Sequence, residues 1–203
     1  MNTVTAGIAL DGKSFFYVNP LEVWPDNCMD HTSMAHVKPV RQKWFGCACC
    51  PPNIARTLAS LGEYVYAAEE NDLWVNLFVG GEAEASFGGI PVKAEVETRF
   101  PFEGKVKLAL TAEKEAKGTI RLRIPSYASE ISLSCDGKTV TAEAGSYAKI
   151  PFEGTKKEIT LSFVMPPHFV YANPKVRADA GKVAVKRGPL VYCMEQADNG
   201  ENL

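Results

Sequence analysis

The chain has 203 residues, 46% of them apolar, which is ample for a buried core, and 22 Lys plus Arg balance 24 Asp plus Glu to leave a net charge of -2. So even a balance excludes a basic nucleic-acid surface or a strong attraction to anionic membranes, and no partner of either kind is expected. There is no apolar run of roughly 18 residues, and MNTVTAGIALDGKSFF lacks the basic start and long apolar stretch of a signal peptide.

The first 65 or so residues mix a short strand, an irregular loop and a helix. Gly12 followed by SFFYVNP reads as a turn and an extended segment that stops at Pro20, and residues 20 to 43 carry three prolines with little periodicity. A loop of that length is usually functional or disordered. In PPNIARTLASLGEY, Ile54, Leu58 and Leu61 recur at helical spacing between an entry proline and Gly62, which predicts a short amphipathic helix over 52–61.

From Tyr64 the period becomes two. Strands are predicted at 73–80, 82–87, 91–100, 105–113, 119–125, 130–140, 146–152 and 157–166, separated by Gly, Pro, Asp and Asn turns. That spacing predicts a mainly β fold, a β-sandwich of jelly-roll-like type or a barrel. Residues 171–182 break the pattern as a linker, and VAVKRGPLVYCMEQ begins new β structure that ADNGENL ends before a second sheet is complete.

The six cysteines lie at 28, 47, 49, 50, 135 and 193, without the regular spacing of a disulfide-stapled secreted domain, so a reducing compartment, the cytoplasm, is expected. Cys28, Cys135 and Cys193 read as packed thiols. The cluster CACCPPN, residues 47–53, is different, because three thiols in four positions gain nothing in packing over Ala or Ser. The cluster also falls just before a helix N-terminus, where the dipole and free N–H groups favour a thiolate. Adjacent Cys49 and Cys50 make poor disulfide partners. A metal site, a reactive thiol and plain structure remain open on spacing alone, with Cys28, Asp30 and His31 as weak candidate helpers. His31 and His36 read as ordinary solvent-facing or hydrogen-bonded histidines, His168 as a packed or turn residue, and Trp24 and Trp44 as core or domain packing or a sugar platform. Arg41 and Lys43 are candidates to favour a thiolate if close to it.

FFYVNPLEVWP (15–25), VKPVRQKWFGCACCPPNIARTLASLGEYVY (37–66) and PKVRADAGKVAVKRGPLVYCMEQADNG (174–200) together resemble the zinc-dependent cysteine glycosidases typified by bacterial β-L-arabinofuranosidases. The resemblance implies that residues 1–65 are the last strand, loop and helix of an (α/α)6 catalytic barrel, 66–170 a β-sandwich domain, and 171–203 the start of a second. It implies that Cys49 is both nucleophile and Zn2+ ligand, Cys50 a second ligand, Cys47 the motif's non-ligating leading cysteine, and Tyr17 a residue that touches the sugar. The implied substrate is an arabinofuranose-containing oligosaccharide or glycoconjugate, hydrolysed with retention. The family's Glu-x-Cys zinc ligands, acid/base glutamate and sugar-binding histidines come from earlier in the barrel. No Glu-x-Cys occurs here, since Cys28 follows Asp26 and Cys135 follows Leu133 at that spacing. The chain is therefore expected to be the C-terminal part of a longer enzyme, inactive in isolation, and to self-associate through Ile54, Leu58 and Leu61. A carbohydrate-binding or structural β module without catalysis is the competing expectation.

Overall fold

The structure, a computed structural model, describes residues 2–30, 36–47 and 49–200. It divides into two compact units, Ser60–Pro166 and a second composed of Met1–Ala59 with Pro167–Leu203.

The unit Ser60–Pro166 is mainly β, as its two-residue period predicts. Its strands are β1 (Tyr66–Glu69), β2 (Asp72–Val75), β3 (Gly81–Phe87), β4 (Ile90–Thr98), β5 (Lys105–Arg123), β6 (Ser129–Cys135), β7 (Lys138–Thr139) and β8 (Tyr147–Val164). They form one mixed sheet in the order β1-β2-β5-β8-β6-β7, with β4 also on β5 and β3 on β4. β2 and β5 run parallel, while the other pairs are antiparallel. Alternation explains the buried face: β5 turns Val106, Leu108, Leu110, Ile120 and Leu122 inward and its lysines and arginines outward.

Two predicted strand pairs are each a single long strand. Residues 105–113 and 119–125 are largely the two halves of β5, and 146–152 and 157–166 largely those of β8. The polar stretch between the halves of β5 does not reverse the chain but forms a bulge. There the pairing jumps from Thr111↔Lys156 to Ala116↔Gly154, and Gly154 takes a left-handed φ of 108°. The first half of β5 pairs with β4 and the second with β2. Inward residues from both halves nevertheless join one core cluster, in which Phe87 of β3 meets Phe152 of β8 at a ring separation of 5.5 Å. One folded sheet thus encloses the core, and each fully buried Leu, Ile or Phe contributes about 1.5–3 kcal/mol. The segment predicted as a strand over 73–80 pairs only to Val75, because the N–H groups of Asn76 and Leu77 both turn back to the carbonyl of Val65. β1, whose YAAE has no alternation, escapes the sequence pattern.

In the other unit, α1 (Asn2–Gly7) leads into paired backbone at Ile8, Phe15 and Gln42. α2 (Pro25–Asp30) lies inside the proline-bearing loop, and α3 (Cys50–Ala59) follows the cysteine cluster. α3 starts two residues before the predicted helix, since prolines at its first turn have no N–H to lose. No residue of α3 is buried, and Ile54 and Leu58 are 37% and 51% exposed. The chain from Pro167 forms a three-stranded antiparallel sheet of β9 (Pro167–Tyr171), β10 (Val183–Arg187) and β11 (Leu190–Tyr192). Among the described residues no helix is long and apolar enough to cross a membrane.

Candidate active site

Backbone pairing sets the position of Tyr17. Phe15 and Gln42 exchange N–H···O bonds of 2.9 and 3.0 Å, and Phe16 N–H reaches the carbonyl of Gly7 at 2.8 Å. Buried Phe45 packs on both Phe15 and Tyr17, with ring centroids 5.2 Å away in each case, and His36 stacks on Tyr17 at 4.7 Å with 27° between the planes. Tyr17 is therefore wedged between two rings and pinned at its backbone two residues away.

The phenol so held points into the cysteine cluster. Tyr17 OH lies 3.2 Å from Cys47 Sγ and 3.0 Å from Cys49 Sγ, and the N–H of Cys50, the first residue of α3, donates to it at 3.4 Å. The sulfurs of Cys47 and Cys49 are 3.6 Å apart, those of Cys49 and Cys50 3.8 Å. Asn53 fixes the entry to α3 by donating Nδ2–H to the carbonyl of Cys49 at 2.7 Å; Arg56 donates to its Oδ1 and Thr57 to its carbonyl. A phenol owns one proton, so it donates to one sulfur at a time and accepts from other donors around it. Hydrogen bonds to Cys47, then Cys49 and Cys50, with a smaller contribution from burial, hold the Tyr17 pKa well above its ordinary 10.0. Tyr17 is thus a fixed neutral donor to sulfur.

Cys49 is exposed and Cys50 half-buried at the start of a ten-residue helix, whose dipole favours negative charge, while Pro51 and Pro52 carry no N–H and that of Cys50 goes to Tyr17. Their donor chemistry suits zinc in part. At a zinc–sulfur distance of 2.3 Å, two thiolates of a tetrahedral ion stand about 3.8 Å apart, which matches the Cys49–Cys50 pair. Among the described residues, however, no three His, Cys, Asp or Glu side chains converge as a metal site requires. Among the described residues, Cys49 and Cys50 match one edge of a tetrahedron.

The other candidates are placed elsewhere. Arg41 donates to the Ala6 carbonyl at 2.7 Å, lies over the Phe16 ring at 4.6 Å, and pairs with Glu195 at 3.5 Å. Trp24 and Trp44 are exposed, 63% and 68%. Cys28 is buried with its thiol on the Trp24 carbonyl, and Cys135 sits beside Asp136 in a hairpin turn. Asp30 is the last residue of α2, and His31 lies outside the described residues. His36 and Phe45 are the supports that sequence reading missed, since a loop gives no periodicity from which a ring stack could be inferred.

Three domain models match the chain in succession: the catalytic domain of glycoside hydrolase family 127 β-L-arabinofuranosidases over residues 1–63, the family's middle domain over 72–165, and its C-terminal domain over 167–203. A curated relative, the non-reducing end β-L-arabinofuranosidase of Bifidobacterium longum subsp. longum, is 40% identical across the whole chain, which covers 31% of that protein. The crystal structure of a family 127 β-L-arabinofuranosidase from Geobacillus stearothermophilus T6 superposes with a TM-score of 0.85 at 46% identity, over 98% of this chain and 32% of that one. A family 127 β-arabinofuranosidase gives 0.77 at 36% identity, over 95% of this chain and 31% of its own. The chain spans about a third of the length of these relatives. Matched along almost its whole length by the family's three domains in order, the chain belongs to glycoside hydrolase family 127.

Proposed function

We propose that the chain is part of a retaining glycoside hydrolase for β-L-arabinofuranosides in which Cys49 is the nucleophile. The observation that supports it best is the Tyr17 hydroxyl, which lies 3.0 Å from the exposed Cys49 sulfur and accepts from the first N–H of α3. The substrate class follows from the names of the relatives and from the resemblance carried by CACCPPN. Residues 1–65 are read as the end of an (α/α)6 barrel, 66–170 as a β-sandwich domain and 171–203 as the start of a second, a division supported by the order of the matched domains. Six free thiols fit the cytoplasm.

The chemistry follows from the residues. The Cys49 thiolate attacks the anomeric carbon as the glycosidic C–O bond breaks, and the leaving oxygen takes a proton from a carboxylic acid. Water then attacks the same carbon while giving a proton to the carboxylate left by that acid, the C–S bond breaks, and the sulfur returns as thiolate. Two displacements restore the starting configuration. Tyr17, neutral at working pH, donates to the sulfur, and contact with the sugar is the role the resemblance assigns to it. Zn2+ bound by Cys49 and Cys50 would hold both sulfurs deprotonated. The acid and the remaining ligands are assigned, as the resemblance implies, to residues from earlier in the barrel, so the chain alone is not expected to turn over. Proton NMR of the first sugar released from an aryl β-L-arabinofuranoside, by the chain joined to a complete barrel, tests the reading. The β anomer appears first if it is right; initial release of the α anomer overturns it.

A further inference from the structure

Cys47 has no part in the sugar chemistry above, yet its half-buried sulfur is 3.6 Å from the exposed sulfur of Cys49 and shares the Tyr17 hydroxyl with it. A disulfide needs about 2.05 Å, so closure asks the two sulfurs to approach by roughly 1.6 Å. Side-chain rotation supplies such a movement. Cys50 is nearly as close to Cys49, at 3.8 Å, but a bond between adjacent residues closes a small strained ring, whereas one between Cys47 and Cys49, a residue apart in sequence, closes a larger one. An exposed thiol at a helix start beside a second thiol is the arrangement of an oxidisable cysteine with a resolving partner.

We propose that Cys47 and Cys49 form an oxidation site, in which Cys47 captures peroxide-oxidised Cys49 as a reversible disulfide. The Cys49 thiolate attacks one oxygen of hydrogen peroxide, the O–O bond breaks, and sulfenic acid and hydroxide form. The Cys47 thiolate then attacks that sulfur, the S–O bond breaks, and the second hydroxide leaves. With the two thiol protons the products are one disulfide and two waters, sulfur being oxidised and peroxide reduced. A dithiol reductant reverses the bond by exchange. The capture itself needs no sugar; that it shields the nucleophile from irreversible oxidation rests on the reading of Cys49 given above.

The test treats the reduced, EDTA-dialysed chain with hydrogen peroxide and maps its cysteines by mass spectrometry, before and after dithiothreitol. The expected result is a Cys47–Cys49 disulfide, with Cys49 recovered as alkylatable thiol after reduction. In Cys47→Ser that recovery is lost, Cys49 proceeding to sulfinic and sulfonic acid, while Cys50→Ser keeps both the disulfide and the recovery. Irreversible oxidation of Cys49 in the unsubstituted chain, or a bond from Cys49 to Cys50 instead, overturns the proposal. Either result leaves the glycosidase reading standing, because no substrate takes part.

Discussion

The hydroxyl of Tyr17 stands 3.0 Å from the sulfur of Cys49 across 32 residues of sequence, and this pair joins the extended segment to the start of α3. Because the thiols stabilise the neutral phenol, the Tyr17 pKa is raised in the folded chain above the 10.0 of an unfolded one. Its contribution to stability is fully present below pH 10 and is lost as pH rises beyond that, where the unfolded chain releases the proton and the folded chain keeps it. Urea unfolding should therefore weaken less steeply above pH 10 in Tyr17→Phe than in the parent chain. Equal slopes would show that the hydroxyl is free of the sulfurs.

Cys49 and Cys50, the proposed zinc ligands, would be half of a tetrahedral shell, and among the described residues no group of three or more His, Cys, Asp or Glu could hold a metal ion. Native mass spectrometry after dialysis against a weak chelator should find the isolated chain without retained zinc. One zinc per chain, lost on Cys50→Ser, would mean that the chain completes a site by itself or with a second copy.

The exposed side chains of Ile54 and Leu58 leave α3 with an unpaired apolar face. Light scattering should find dimers or larger species, and Ile54→Lys with Leu58→Lys should return monomers. A monomeric parent chain would contradict this.

Gly104 is fixed by close approach. A Cβ there would lie 2.0 Å from the carbonyl oxygen of Phe163, whose N–H donates to Gly104 at 2.8 Å. Backbone must move to admit it, so Gly104→Ala should cost about 2 kcal/mol or more in urea unfolding. A change within about 0.5 kcal/mol, usual for exposed positions, would refute the packing described.

Sequence pattern carried much of the β unit, because Val106, Leu108 and Leu110 alternate with polar neighbours as a half-buried strand requires. It could not tell that EKEAKG at 113–118 bulges inside β5 instead of turning, since a polar stretch suits either. The site was legible in CACCPPN, where composition alone is improbable, and Tyr17 came only through the resemblance. The stack of His36 on Tyr17, and the pairing of Arg41 with Glu195, depend on loop geometry that no local propensity encodes.

Cys49 is the proposed nucleophile that attacks the sugar. In the chain joined to a complete catalytic barrel, Cys49→Ser should lower kcat on an aryl β-L-arabinofuranoside by about a thousand-fold or more, as expected when a nucleophile is removed. Turnover by Cys49→Ser within a few-fold of the parent would contradict it.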